Sequence, residues 1–385
     1  MMKFPKRLNK KLEQRLADNA FRRLPSAAEG IDFCSNDYLG LSRDPKLKEF
    51  IGEILEGYDF GEGSTGSRLI SGNHKLYKEA EDMLTTWYAS ESALIFNSGY
   101  DANIGFFSSV PQRGDIVFYD EYIHASIRDG LSMGNAGSFK FRHNDLEHLE
   151  SLLKKYLVDD NECYVVTESV FSMDGDSPDL DRLINLCKAY DVNLVVDEAH
   201  AVGVVGEKGK GLTFSQGRRE SVFARIVTFG KGPGVHGAAV LGSQKLKDYL
   251  VNFCRSLIYT TALPPHSVAG IMASHRLMID DGRRDQLWDR IRCFQNKLNT
   301  TEVLMEFKGG DSAIATIVIP GNENVKEVAK LLNDEGFRVK PIVSPTVPKG
   351  KERLRICLHS YNSFEEIESL FDRLLIFVKP YLLDV

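Results

Sequence analysis

The feature that most constrains the fold of this chain is an alternation of short apolar runs with longer helical patterns. The apolar runs predict strands and the segments between them have the periodicity of amphipathic helices. We predict strands at 93–97, 116–119, 139–142, 164–167 and 194–196, and helices at 123–133, 145–157 and 179–190. Such alternation is typical of an α/β fold with a mostly parallel sheet.

Four polar side chains lie where predicted strands end. They are Ser98, Glu168, Asp197 and Lys231. In an open parallel sheet, ligands bind outside the carboxyl ends of the strands. The sequence therefore predicts that these side chains share one binding site.

Lys231 lies between two apolar runs, 226–229 and 238–242, and has a glycine on either side. This pattern predicts a strand, a tight turn and a second strand. Glycine permits a sharp turn and the close approach of a ligand. A desolvated lysine becomes a nucleophile that forms imines with carbonyl compounds, including the aldehyde of pyridoxal phosphate. The alternative is an exposed lysine in an ordinary turn.

Ser98 separates a predicted buried strand from a predicted helix that begins at Gly99 and Tyr100. This arrangement binds anions, most often phosphate, because free backbone N–H groups and the helix dipole point at the loop. The stretch 61–72, GEGSTGSRLISG, is either a flexible linker or a second binding loop.

Asp197 ends the run NLVVD, and His200 follows it by three residues. A buried carboxylate is costly unless it meets a cation. The protonated ring nitrogen of pyridoxal phosphate is such a cation, and His200 would then lie near the ring oxygen. The alternatives are a metal site or a structural cap. His124 could stack on the ring or be structural, and the polar loop with Ser172 and Asp174 could be a plain turn.

Bulk properties exclude several classes of protein. The 385 residues are 43% hydrophobic and 26% charged, which indicates an ordered globular chain, and the net charge of −6 argues against nucleic-acid binding. We see no signal peptide and no apolar run long enough for a membrane span. The six scattered cysteines argue against a metal or disulfide framework and favour a cytoplasmic protein.

The pattern changes after about residue 262. Long helical segments at 263–281, 284–300, 324–335 and 364–378, with strands at 315–319 and 353–358, predict a smaller α+β domain. We therefore divide the chain into an N-terminal segment (1–40), a large domain (41–265) and a small C-terminal domain (266–385). We predict a helix over 6–24 in the N-terminal segment. The end of this helix, at Arg22–Arg23, is either solvated or faces an anionic substrate.

Taken together, these motifs resemble the α-oxoamine synthase family of fold-type I pyridoxal phosphate enzymes. The resemblance covers nearly the whole chain. It rests on SNDYLGL (35–41), GSTGSRLISG (63–72), SGYDAN (98–103), HAS (124–126), TESVFSMDGD (167–176), VDEAHAVGVVGEKGKG (196–211), VTFGKGPGVHGAAVLGS (227–243), LIYTTALPP (257–265) and TVPKGKERLRICL (346–358).

The resemblance implies pyridoxal 5'-phosphate as cofactor and a role for each matching residue. Lys231 would hold the cofactor covalently and move the substrate Cα proton, Asp197 would pair with the ring nitrogen, and His124 would stack on the ring. The remaining implied contacts are Glu168 near the ring, His200 and Ser172 at the ring oxygen, Ser98, Gly99, Tyr100 and Thr228 at the phosphate, Thr260 or Thr261 at the phosphate of a neighbouring subunit, and Asn36, Arg355 and Arg22 at the substrates. Shared sites imply a homodimer.

The implied reaction is a decarboxylative condensation of an amino acid with an acyl thioester. The stretches at 227–243 and 257–265 look most like the branch that joins L-alanine to a pimeloyl thioester, carried by coenzyme A or acyl carrier protein, in biotin biosynthesis. The alternatives are the glycine C-acetyltransferase and serine palmitoyltransferase types, a plain aminotransferase, and a regulatory subunit without activity.

Overall fold

The computed structural model describes residues 4–24, 29–59, 61–157, 161–215, 217–301, 306–309 and 311–381. The chain forms two compact units. The larger comprises Asn36–Ser172 and Asp176–Asp285, and the smaller comprises the chain up to Ser35, Met173–Gly175 and the chain from Gln286 onward.

The larger unit alternates strands and helices, as the sequence predicts. Its strands are β2 (Ser92–Phe96), β3 (Ile116–Asp120), β4 (Gly137–Phe141), β5 (Cys163–Glu168), β6 (Asn193–Asp197), β7 (Ala224–Thr228) and β8 (Ala238–Gly242). Its helices are α2 (Pro45–Glu56), α3 (Lys75–Trp87), α4 (Gly99–Ser109), α5 (Ala125–Met133), α6 (Leu146–Tyr156), α7 (Leu180–Ala189), α8 (Gln244–Phe253), α9 (Arg255–Ile258) and α10 (Pro265–Leu277), and α11 (Gly282–Asn299) crosses the boundary at Asp285.

These strands form one seven-stranded sheet in the order β2-β8-β7-β6-β5-β3-β4. Five neighbouring strands, β7, β6, β5, β3 and β4, run parallel to one another. Strand β8 runs antiparallel to both of its neighbours, β2 and β7. The connection from β7 to β8 is too short for the helical crossover that parallel strands need, so it returns the chain antiparallel. This short connection carries Lys231.

Apolar side chains cover both faces of the sheet, which explains why β5 and β7 are buried throughout. Helices α4, α5, α8 and α9 pack into one cluster with Phe106 and Leu250, and α2, α3 and α10 pack into another with Leu84 and Val268. Helices on both faces of a mostly parallel sheet confirm the predicted α/β class.

The smaller unit contains an antiparallel sheet in the order β12-β13-β10-β9 and a separate parallel pair, β1 with β11. Its elements are α1 (Lys6–Ala17), β1 (Ile31–Asp32), β9 (Phe307–Gly309), β10 (Ile314–Val318), α12 (Asn322–Asp334), β11 (Phe337–Arg338), β12 (Lys340–Ile342), β13 (Arg353–Cys357) and α13 (Phe364–Val378). Ser363 begins α13 with a reciprocal capping box to Glu366.

Two stretches differ from the prediction. The helix predicted over 6–24 ends at Ala17, because Asn19 adopts a φ of 50° that a helix cannot continue through. The stretch 266–285, predicted to lie in the small domain, belongs to the larger unit because α10 buries Val268 and Ile271 against α2 and α3. Within the described ranges, no helix combines the length and the apolar character that crossing a membrane requires.

Candidate active site

A cavity of about 250 Å³ opens in the larger unit at the carboxyl ends of β5, β6 and β7. These strands are parallel, so their last residues meet at one edge of the sheet. The predicted site residues that line the cavity are Asn36, Ser98, Gly99, Tyr100, His124, Glu168, Asp197, His200, Thr228 and Lys231.

Lys231 and His200 are in direct contact in this cavity. The Lys231 Nζ lies 2.8 Å from His200 Nε2. The other ring nitrogen, Nδ1, lies 2.8 Å from the Tyr38 hydroxyl, and that hydroxyl donates to Asn36 Oδ1 at 3.1 Å. His200 therefore orients the lysine amine, and the Tyr38 hydroxyl in turn fixes the His200 ring.

Asp197 ends β6 and is buried. Its Oδ1 accepts from the Ala199 backbone N–H at 2.9 Å, and its Oδ2 accepts from the Asn103 side-chain amide at 2.9 Å. Asn103 also donates to Ser126 Oγ at 3.0 Å. These contacts fix the carboxylate at the cavity wall, where it favours a cationic group of a ligand.

His124 caps the start of α5, and its Nδ1 accepts from Ser126, whose Oγ lies 2.7 Å away. Burial lowers the pKa of His124, and the nearby Lys231 acts in the same direction, although Asp197 opposes them. The imidazole is therefore neutral at neutral pH. A neutral ring is suited to packing against the face of an aromatic ligand.

Glu168 ends β5, next to Asp197 in register. Burial raises the pKa of Glu168 to about 8, and the charge of Asp197 adds to this shift, while Lys231 opposes it. Two neighbouring buried carboxyl groups cannot both ionise cheaply. Glu168 is therefore mostly protonated at neutral pH.

The start of α4 and the end of β7 also line the cavity. The Ser98 side chain caps α4 by accepting from Asp101 N at 3.1 Å. A side chain at Gly99 would come within 2.4 Å of Thr228 Cγ2, so only glycine fits there. Among the described residues, no atom hydrogen-bonds the buried Thr228 hydroxyl.

Other predicted residues lie outside the lining of this cavity. Ser172 is buried, and its backbone N–H acts on Glu168. Thr260 and Thr261 accept hydrogen bonds from Asn97 at 3.1 and 2.8 Å. Ser172 is thus held beside Glu168 rather than in an exposed turn.

Two predicted substrate residues belong to the smaller unit. Arg22 donates to Thr346 Oγ1 at 3.1 Å. Arg355, in β13, is buried and lies 2.9 Å from Cys357 Sγ. Their roles stay predictions.

Several polar side chains in or behind the cavity were not predicted from the sequence. Asn103, Ser126 and His236 line the cavity wall, and Tyr38 lies behind it in contact with His200. Asn103 could have been found, because it lies one turn into the helix that begins at the predicted anion site. Tyr38 stands in SNDYLGL and carries no comparable signal, since a buried tyrosine is usual in a core.

Comparisons with known proteins identify a matching family and similar relatives. A family model described as "Aminotransferase class I and II" matches residues 28–374. The 8-amino-7-oxononanoate synthase of Emericella nidulans is 36% identical over 94% of this chain and 92% of its own.

Two solved structures are similar over most of the chain. Serine palmitoyltransferase from S. paucimobilis, with PLP and myriocin bound, is 28% identical, covers 98% of each chain and has a TM-score of 0.87. The 8-amino-7-oxononanoate synthase of Francisella tularensis is 29% identical, covers 91% of this chain and 98% of its own, and has a TM-score of 0.77.

Proposed function

Because the chain belongs to the class I and II aminotransferase family, we propose that it condenses L-alanine with a pimeloyl thioester. The products would be 8-amino-7-oxononanoate, CO2 and a free thiol, in biotin biosynthesis. The family makes it a pyridoxal phosphate-dependent enzyme. The choice of substrates is supported by the relatives named 8-amino-7-oxononanoate synthase.

The observation that carries the proposal is the fit of the cavity to this cofactor. Thr228 lines the cavity with a buried hydroxyl that no described atom hydrogen-bonds, and its methyl group lies against the side-chain-free backbone of Gly99 at the start of α4. A phosphate there would gain backbone N–H donors, a hydroxyl donor and the positive end of a helix. Asp197 supplies the carboxylate that a protonated pyridine nitrogen needs.

When bound, pyridoxal phosphate supplies an electron sink for a carbanion at the Cα of an amino acid. Asp197 would hold the proton on the ring nitrogen and so maintain that sink. Asn103 and Ala199 fix the carboxylate in place for this role. His124 would pack on the ring, and Ser172 and His200 would contact the ring oxygen.

Lys231 would hold the cofactor and then take and return the Cα proton. Its Nζ is already positioned by His200 at 2.8 Å. A general base must lie within hydrogen-bond reach of the proton it moves, and this contact restricts where the amine can point.

For the amino-acid carboxylate we propose Asn36 and Arg355, with Arg22 at the far carboxylate of the acyl chain. Arg353 is the less suitable arginine, because it forms an ion pair with Asp174 in which both side chains are 2% exposed. Turning this arginine toward a substrate would leave the Asp174 carboxylate buried without its cation, which is costly. A planar guanidinium binds a carboxylate with two parallel hydrogen bonds.

We also propose a homodimer in which Thr260 or Thr261 reaches the phosphate of the neighbouring subunit. Ile70 and Tyr259 are large apolar side chains that are 85% and 72% exposed. They lie on two loops joined by a hydrogen bond from Ala262 N to Gly66 O. Exposed apolar surface of this kind favours association with another subunit.

The cytoplasmic location stays a prediction.

The second candidate is another α-oxoamine synthase activity, with glycine or L-serine as the amino acid. It is favoured by the similarity over 98% of the chain to serine palmitoyltransferase. Since these reactions share the cofactor and the proton transfers, the residues of the cavity do not separate them. The reactions differ in the acyl chain and the amino acid that they use.

The test is thiol release by the cofactor-loaded protein from three substrate pairs: pimeloyl-CoA with L-alanine, acetyl-CoA with glycine, and palmitoyl-CoA with L-serine. We expect release with the first pair, and none from Lys231→Ala. The exposed Lys245→Ala is the matched control and should retain activity. Release with only another pair would overturn the proposed substrates, and turnover by Lys231→Ala would overturn the role of the lysine.

A further inference from the structure

Tyr38 is fully buried behind His200, on the side away from Lys231. Its hydroxyl lies between two groups, Asn36 Oδ1 at 3.1 Å and His200 Nδ1 at 2.8 Å. A short turn holds it there, with Tyr38 N donating to Asn36 O at 2.8 Å and Gly40 at a φ of 65°. Two hydrogen bonds and the core packing therefore fix one hydroxyl group.

The two partners of this hydroxyl differ in what they can do. The carbonyl oxygen of an asparagine side chain only accepts hydrogen bonds, and a phenol has one proton to donate. The Tyr38 proton is thus directed at Asn36 Oδ1. The tyrosine oxygen then accepts from His200, which places a proton on Nδ1 of that ring.

A neutral imidazole with its proton on Nδ1 has a lone pair on Nε2. In this structure Nε2 faces Lys231 Nζ at 2.8 Å. A lysine ammonium has three protons and no lone pair, so it can only donate in this contact. The opposite tautomer would set an N–H against the ammonium.

From these contacts we propose that Tyr38 is a positioning residue that holds His200 as the proton acceptor for Lys231 in the cofactor-free protein. Before its nitrogen can bond to a carbonyl carbon, the Lys231 ammonium must lose a proton. That proton passes to His200 Nε2, one N–H bond breaking as the other forms. The imidazolium keeps its Nδ1–H bond to the Tyr38 oxygen.

The proposed tautomer of His200 does not depend on which substrates the enzyme uses. Only the effect of this tautomer on cofactor capture rests on the proposed function, namely the use of pyridoxal phosphate. The first experiment therefore uses the cofactor-free protein with ¹⁵N-labelled histidine. Long-range ¹H–¹⁵N spectra at about pH 8, where an ordinary imidazole is neutral, distinguish the two tautomers. His200→Gln identifies the signals of this ring.

We expect wild-type His200 to be protonated on Nδ1, and Tyr38→Phe to move the population toward the Nε2–H form. Asn36→Ala is an independent variant on a half-buried residue. It frees the Tyr38 proton to donate to Nδ1, so it should shift the tautomer in the same direction. The proposal is overturned if wild-type His200 carries its proton on Nε2, or if neither variant changes the tautomer.

A second readout is the rate at which the cofactor-free protein captures pyridoxal phosphate, followed by absorbance after rapid mixing. Hydrogen-bond partners that orient metal-binding histidines are typically worth about 10–100-fold, and by analogy we expect Tyr38→Phe to slow capture about tenfold. Tyr88→Phe is the matched control: Tyr88 is also fully buried and bonds a histidine, His275 Nε2, at 3.1 Å, outside the cavity. Equal slowing in both variants would show a general structural effect and would overturn the proposal.

Discussion

The Asn103 side chain donates one hydrogen bond to Asp197 and another to Ser126, and so links helix α4 to the end of β6 and the start of α5. Asn103 is 2% exposed and Asp197 is 4% exposed. A hydrogen bond to a buried charge contributes more than one between neutral groups, because the charge has left water.

Replacing this asparagine should therefore cost both stability and activity. We expect Asn103→Ala to lower the free energy of unfolding of the cofactor-free protein by about 2 kcal/mol, measured by urea denaturation. The control is Asn252→Ala, which removes an exposed amide that bonds a helix carbonyl. Equal losses in the two variants would contradict a special role for the Asp197 contact.

Gly99→Ala should weaken cofactor binding, because the added methyl would come within 2.4 Å of Thr228 Cγ2. Thr228 must then move, and its hydroxyl leaves the proposed phosphate position. We expect the dissociation constant for pyridoxal phosphate to rise about tenfold, equivalent to ~1.4 kcal/mol, in an absorbance titration.

Two further variants separate this effect from a general loss of stability. Gly52→Ala adds a methyl with nothing within 4 Å and should leave binding unchanged. Thr228→Ser removes the contacting methyl but keeps the hydroxyl, so it should restore part of the affinity when combined with Gly99→Ala. An absence of any rescue would argue against steric contact as the cause.

The sequence predicted the fold class and the residues at the strand ends, because both depend on local periodicity. The approach of Glu168 to Asp197 follows from parallel register. The contacts of Tyr38 could not be predicted, since they join positions 162 residues apart through packing alone. The end of the first helix was missed for a local reason, the positive φ at Asn19, which composition does not reveal.

Glu168 should make the cofactor-free protein less stable as pH rises. Its pKa is raised by burial to about 8, above its ordinary value of 4.5. Between these values the unfolded chain releases the proton and the folded protein retains it, so the free energy of unfolding falls. Glu168→Gln should therefore gain stability relative to wild type from pH 5 to pH 8.5, measured by urea denaturation, whereas the exposed Glu49→Gln should not. A constant difference across this range would contradict the raised pKa.

His143 bridges two carboxylates in the larger unit. Its Nδ1 lies 2.9 Å from Asp120 Oδ1 and its Nε2 lies 2.7 Å from Asp176 Oδ2. Burial lowers the pKa of His143, but the hydrogen bonds to Asp120 and Asp176 outweigh burial and raise it to about 9. The Glu121 side chain accepts from the His143 backbone, and the Tyr122 ring stacks on the imidazole.

This bridge should stabilise the protein at neutral and acidic pH and fail in alkali. A raised histidine pKa contributes fully below the ordinary value of 6.5, and the contribution is lost as pH rises through about 9. We expect His143→Gln to cost about 3 kcal/mol of unfolding free energy at pH 6, because it leaves the buried Asp120 without its cation. The cost should shrink by pH 9.5, while the exposed His266→Gln should show no such trend. A cost that does not change with pH would mean that His143 acts through packing with Tyr122 rather than through its charge.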